Sequence, residues 1–197
     1  MHPDINLDNY EKKLITFSIE EVSQLYFRLM GILFVALAVP FILIYFQSFS
    51  YYFTNFHWFT FLQDCALFIL FIFIGIILHE LIHGLTWAIF VKDAIRVIKF
   101  GVLWKHLVPY CHCKVHLKVK HYIAGAITPA IILGILPTLW AFATGNIIIF
   151  FLGLYFIVAA SGDFLIIHLL RNEPYNSYVK DHDSQPGCIV YKFKNEE

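Results

Sequence analysis

Residues 61–91 read FLQDCALFILFIFIGIILHELIHGLTWAIFV. About 20 mainly apolar residues are enough to cross the hydrocarbon core of a bilayer as a helix. This stretch is longer than that and holds no Lys or Arg. Its polar exceptions are concentrated late, in His79-Glu80-Leu81-Ile82-His83. Three ionisable side chains in one apolar span are costly in lipid, so they must face a protein interior and be paired or metal-bound.

The whole chain has the same character. Of its 197 residues 59% are hydrophobic, 18% aromatic and 14% charged, and the formal net charge is zero. An ordinary soluble domain is nearer 45–50% apolar and about 25% charged. The imbalance excludes a disordered chain and a soluble globule. A neutral chain also lacks the basic surface of a nucleic-acid binder.

Three further segments are long and apolar enough to span: Leu25–Ser48, Tyr122–Thr144 and Ile147–Leu170. With Phe61–Val91 they predict an all-α integral membrane protein, a bundle of four transmembrane helices. Residues 1–24 form an N-terminal segment with no short apolar core of the kind a cleavable signal carries. In that segment Ser18-Ile19-Glu20-Glu21 fits a capping box that opens the first helix.

Sorting the 14 basic residues gives an orientation. Lys12, Lys13 and Arg28 flank the first span. Lys92, Arg96, Lys99, Lys105, Lys114, Lys118 and Lys120 lie between the second and third spans, and Arg171, Lys180, Lys192 and Lys194 follow the fourth. Residues 49–60 hold none and are rich in Phe, Tyr and Trp. Both termini and residues 92–121 are therefore expected on the cytoplasmic side of the cytoplasmic (inner) membrane. Polar and apolar residues alternate over Arg96–Phe100 and again over His112–Lys120, which predicts a small β-hairpin or sheet in the 92–121 loop. The tail 171–197, with Pro174 and Pro186-Gly187, reads as a short extension.

His79 and His83, four residues apart, lie on one face of a helix and can reach one zinc ion, with Glu80 close enough to serve as general base. His79 precedes Lys92 by 13 residues, about 20 Å of helix from the cytoplasmic end. A catalytic zinc of this kind takes a third protein ligand and keeps one position open. Asp163, preceded by Ser161-Gly162, is favoured for it over His168, which lies nearer the span end and about 140° around the helix. The competing reading makes the same residues a polar cluster that only packs helices together. Cys111, His112, Cys113 and His116 are residue types that bind metal, but on a strand the histidines and cysteines point to opposite faces. A polar surface strand is the simpler reading. The four cysteines suggest no disulfide framework. Thr128-Pro129 and Pro137 predict kinks in the third span.

These motifs resemble a family of zincin peptidases long filed as a domain of unknown function. More distantly they resemble the site-2 protease intramembrane metalloproteases. The resemblance runs from about Gly75 to Val190. It rests on His79–Gly84, Phe100–Lys105, Pro109-Tyr110, His112–Lys114, Lys120–Tyr122, Pro129, Gly162-Asp163, Asp181-His182 and Pro186-Gly187. In site-2 proteases an Asp on a later span completes the zinc site, and a β-structured element follows the HExxH helix. Asp163 and residues 95–119 correspond to these parts, although here the Gly precedes the Asp.

Together the readings predict a zinc metallopeptidase with one catalytic zinc per chain, held by His79, His83 and Asp163, and with Glu80 as catalytic base. Its substrate would be a membrane protein or peptide, met by Phe100 and Gly101 of the hairpin and by Thr128 beside the kink. The lipid bilayer is its surroundings, and nucleic acid is not a partner. The alternative is a non-hydrolytic membrane protein that uses the same site structurally or to bind a metal or ligand.

Overall fold

The computed structural model describes residues 9–104, 108–182 and 186–194. Residues 1–8 of the N-terminal segment, Lys105 of the loop, and 195–197 of the tail lie outside the described residues. The chain opens with a strand, β1 (Tyr10–Thr16), and a helix, α1 (Ile19–Leu33). The capping box forms: Glu21 N–H donates to Ser18 Oγ at 3.1 Å, and Ser18 N–H donates to Glu21 Oε2 at 2.6 Å. A π-helical turn, Phe34–Ala38, leads into α2 (Val39–Ile44), and α3 (Phe46–Thr54) follows. The widened turn precedes Pro40, whose ring and missing N–H disturb a regular helix.

The long helix α4 runs over Trp58–Ala88. After it come α5 (Ala94–Val97), the hairpin strands β2 (Ile98–Leu103) and β3 (Val108–Cys113), and the short β4 (Leu117–Lys118). Helix α6 (Val119–Pro129) ends at a proline. It continues through a second π-helical turn, Ala130–Ile135, into α7 (Leu136–Thr144). Gly145, in left-handed conformation, and Asn146, which caps Ile149 N–H at 3.0 Å, turn the chain into α8 (Ile147–Ala159). The chain closes with α9 (Ser161–Leu170), β5 (Tyr178–Asp181) and β6 (Gly187–Phe193).

Three helical stretches are long and apolar enough to cross a membrane: Glu20–Ile44, Trp58–Ala88 and Val119–Thr144. The pair α8 and α9 makes a fourth if it is one span. This revises the expected bundle of four continuous helices. The stretch 147–170 breaks at Ala160, whose ψ of 16° leaves the helical range. The first helix starts at Ile19, where the capping box places it and ahead of the span entry expected at Leu25, and it stops at Tyr45, after which α3 begins as a separate segment.

The all-α expectation is also revised. The predicted hairpin is present, with β2 and β3 antiparallel and Phe100 opposite Cys111. It ends at Cys113 instead of continuing to Lys120. There β4 leaves to join a separate antiparallel sheet of order β1-β6-β5-β4. This sheet draws on both chain ends, and β1 pairs with β6 from Tyr10↔Phe193 to Thr16↔Gly187. Gly187 is required at the corner: its φ is +136°, and a Cβ there would lie 2.1 Å from Ile15 O.

The contacts divide the chain into two compact units. One comprises residues 1–22, 78–129 and 162–197. Its core is formed by sheet and helix residues, among them Leu117, Val119, Tyr122, Leu170, Val179 and Val190. The other comprises residues 23–77 and 130–161, with a core of Ala38, Phe41, Ala141 and Phe150. Phe41 and Phe150 stack with centroids 4.0 Å apart. This second unit carries an open pocket of about 980 Å³ in which Asp64, held by the Tyr52 hydroxyl at 3.0 Å, is the charged lining residue. The helices of both units leave large apolar side chains exposed, such as Phe27 and Phe73 in the second unit and Leu81 and Leu85 in the first, as lipid-facing surfaces would.

Candidate metal centre

Helix α4 carries His79 and His83 one turn apart with Glu80 next to His79, and α9 brings Asp163 to the two histidines. His79 Nε2 lies 3.1 Å from Asp163 Oδ2, and His83 Nε2 lies 3.3 Å from Asp163 Oδ1. The three side chains are largely shielded, with exposures of 12%, 6% and 21% for His79, His83 and Asp163. One ligand atom from each lies within 4.8 Å of the others. Among the described residues no other group of three His, Cys, Asp or Glu side chains meets in this way.

The donor set fits zinc. Atoms bound at about 2.0–2.1 Å to a tetrahedral ion lie roughly 3.3–3.4 Å apart. The two imidazole–carboxylate separations are close to that spacing. The hydrogen bonding of His83 argues the same way. Its Nδ1 lies 2.9 Å from Gly125 O. A carbonyl only accepts, so Nδ1 carries the proton and donates. In the neutral ring Nε2 is then a bare lone pair turned towards a carboxylate oxygen. Two acceptors facing each other need a positive charge between them, either a second ring proton or a metal ion.

Pro129 explains why the Gly125 carbonyl is available. In a regular helix that carbonyl would accept from the N–H of residue 129, and proline has none. The neighbouring Ala124 carbonyl is taken by the Thr128 hydroxyl at 2.6 Å. Thr128, expected to meet substrate, therefore has its hydroxyl turned onto its own helix.

A stack of rings continues from His83. Trp87 lies on its ring at 5.5 Å and Tyr122 on Trp87 at 5.3 Å. Trp87 Nε1–H donates to Tyr122 O at 3.2 Å. The Tyr122 hydroxyl donates to Asp181 Oδ1 at 2.5 Å, and Cys113 N–H donates to Asp181 Oδ2 at 2.7 Å. Asp181 is buried, which pushes its carboxyl above the ordinary carboxylate value despite both hydrogen bonds. It ties β5 to β3 and α6.

The hairpin reaches the same helix. A Cβ on Gly84 would lie 2.5 Å from the Phe100 ring and 3.3 Å from Cys111 Sγ. Phe100 is thus set beside Gly84, the residue that follows His83, whereas the open side of Gly101 is filled by the Tyr110 ring. Both histidines face Asp163. His168 is exposed on α9 and stands apart from the cluster. Cys111 and Cys113 are buried, and His112 is turned to the other face against Tyr110. Burial pushes the Cys113 thiol up to about 11 and raises Cys111 as well. Such thiols stay protonated and are poor metal ligands, and no second metal group forms there.

Trp87, Tyr122, Gly125 and Asp181 had no assigned role in the sequence. One signal was legible in principle: a proline four residues after a glycine frees one backbone carbonyl.

A family model described as "Putative zincin peptidase" matches residues 72–178, more than half of the chain. The chain belongs to this family. The zincin peptidase match contains the HExxH residues, the hairpin, Pro129 and Asp163, and it stops short of Asp181. Zincin membership implies zinc, and the residues that meet here suit it. No curated protein and no solved structure matches the chain.

Proposed function

We propose that this protein is a membrane-embedded zinc metallopeptidase that hydrolyses peptide bonds at or within the bilayer. The observation that carries the reading is the meeting of Asp163 with both histidines of an HExxH helix, inside segments apolar enough to span. His79, His83 and Asp163 would hold the ion. When bound, zinc supplies a Lewis acid and lowers the pKa of water towards about 7.

The remaining work falls to the chain. The Glu80 carboxylate takes the proton of the attacking water and returns it to the leaving amine. Phe100 of β2 packs on Gly84, next to His83, and with Gly101 the hairpin is suited to hold an extended peptide by edge pairing. Extension matters because a helical substrate hides its carbonyls in hydrogen bonds. The basic residues put the hairpin and both termini on the cytoplasmic side, so cleavage would occur nearer that leaflet. The substrate would be a membrane protein or a membrane-bound peptide.

Glu80→Gln tests the mechanism. The purified variant should retain one zinc per chain and lose roughly 10²–10⁴-fold in cleavage of a peptide substrate. Retained zinc with wild-type cleavage would remove Glu80 from the mechanism. A wild-type protein that holds stoichiometric zinc but cleaves nothing would favour the non-hydrolytic alternative.

A further inference from the structure

We infer that Pro129 is a positioning residue of the metal centre: by having no N–H, it leaves the Gly125 carbonyl free to hold His83 Nδ1–H. The inference rests on reading His79, His83 and Asp163 as the zinc site. Three observations carry it. The first is the buried contact itself, 2.9 Å from His83 Nδ1 to Gly125 O. The second is the register, since residue 129 is the one that an α-helix would pair with that carbonyl. The third is the absence of a side chain at Gly125. A Cβ there would lie 1.9 Å from Trp87 Nε1, so only glycine lets the indole stack on His83 while the carbonyl reaches its ring.

The consequence is a choice of tautomer. An imidazole that donates from Nδ1 presents Nε2 as its lone pair. Nε2 is the atom that faces Asp163. Partners of this kind orient a metal-binding histidine and raise its basicity, and their loss typically costs 10–100-fold in metal affinity. Pro129 thereby sets the direction of His83 through the Gly125 carbonyl. With any other residue at 129 the helix regains an N–H that competes for the same carbonyl.

The experiment uses the full chain in detergent. Zinc affinity is measured by chelator competition for wild type, Pro129→Ala and Pro137→Ala. Imidazole nitrogen shifts are recorded on histidine-labelled protein. Pro129→Ala should bind zinc about tenfold more weakly or worse, while Pro137→Ala, a proline in the other compact unit, should stay within about twofold of wild type. Wild-type zinc-loaded protein should show His83 protonated at Nδ1 and bound through Nε2. This last measurement needs no variant and stands even if Pro129→Ala fails to fold. Wild-type affinity in Pro129→Ala, or His83 bound through Nδ1, overturns the inference alone. Absence of zinc binding by the wild type overturns the metal reading and the inference with it.

Discussion

His83 is held at both ring nitrogens and on one face, which makes its neighbours more informative than its own burial. The Gly125 carbonyl takes Nδ1, Asp163 faces Nε2 and Trp87 covers the ring. Gly125→Ala tests how tightly this setting is packed. The new methyl group would overlap Trp87 Nε1, so the indole must swing away from His83. The expected result is a loss of about 1–3 kcal/mol in stability, the usual cost of overpacking. Zinc affinity should fall together with it, read by thermal melts and chelator competition. Unchanged melting and unchanged affinity would mean that the indole stack supports nothing. At this scale the HExxH pair was legible because helical spacing alone puts His79 and His83 on one face. The choice of Asp163 over His168 also followed from position along a helix. Gly125 was not legible, because its contribution is a backbone atom and an absent side chain.

Among the elements, β1 departs furthest from expectation. Its sequence, YEKKLIT, buries only Ile15, so it carries no clear alternation of apolar and polar residues. What recruits it is β6, a strand more than 170 residues away. An ion-pair knot adds to the pairing. Lys13 of β1 and Lys192 of β6 each lie 2.7 Å from the buried Glu173 carboxylate. Burial pushes that carboxyl up, but the two lysines outweigh it and hold it below the ordinary glutamate value. A depressed pKa stabilises the fold fully above the unfolded value of about 4.3, and the gain fades as pH falls through the lowered folded value. Glu173→Gln should therefore cost on the order of 1 kcal/mol at pH 7, modest because Lys13 is half exposed to screening. The gap between variant and wild type should close below about pH 4. Melts at the two pH values, with hydrogen exchange on β1, would read this. A constant gap across the range would discount the ion pairs. The hairpin fared better at the sequence level, although of the alternating stretch Arg96–Phe100 only Ile98–Phe100 lies in β2, Arg96 and Val97 closing α5. The predicted strand 112–120 was split by β4, which pairs with β5 across Leu117↔Val179.

The whole molecule concentrates its basic residues in the N-terminal flank, residues 92–121 and the tail, and leaves 49–60 without any. If the spans are oriented by that charge, Asn55→Cys should react with a membrane-impermeant maleimide added to intact cells. Tyr175→Cys should react only after the membrane is opened. The reverse pattern would invert the proposed orientation and move the chemistry to the other leaflet. Composition alone determined the solvent: a chain with 59% hydrophobic and 14% charged residues has too little polar surface to cover a soluble globule. Local spacing determined the HExxH helix, because four residues make about one helical turn. The tertiary structure closes Asp163, favoured from its position along a helix and 80 residues after the second histidine, on the pair. It alone decided that Gly125 O holds His83 and that the two ends of the chain share a sheet. Periodicity records which face of an element is buried, but the partner buried against it is chosen by long-range packing, which leaves no local mark on the sequence.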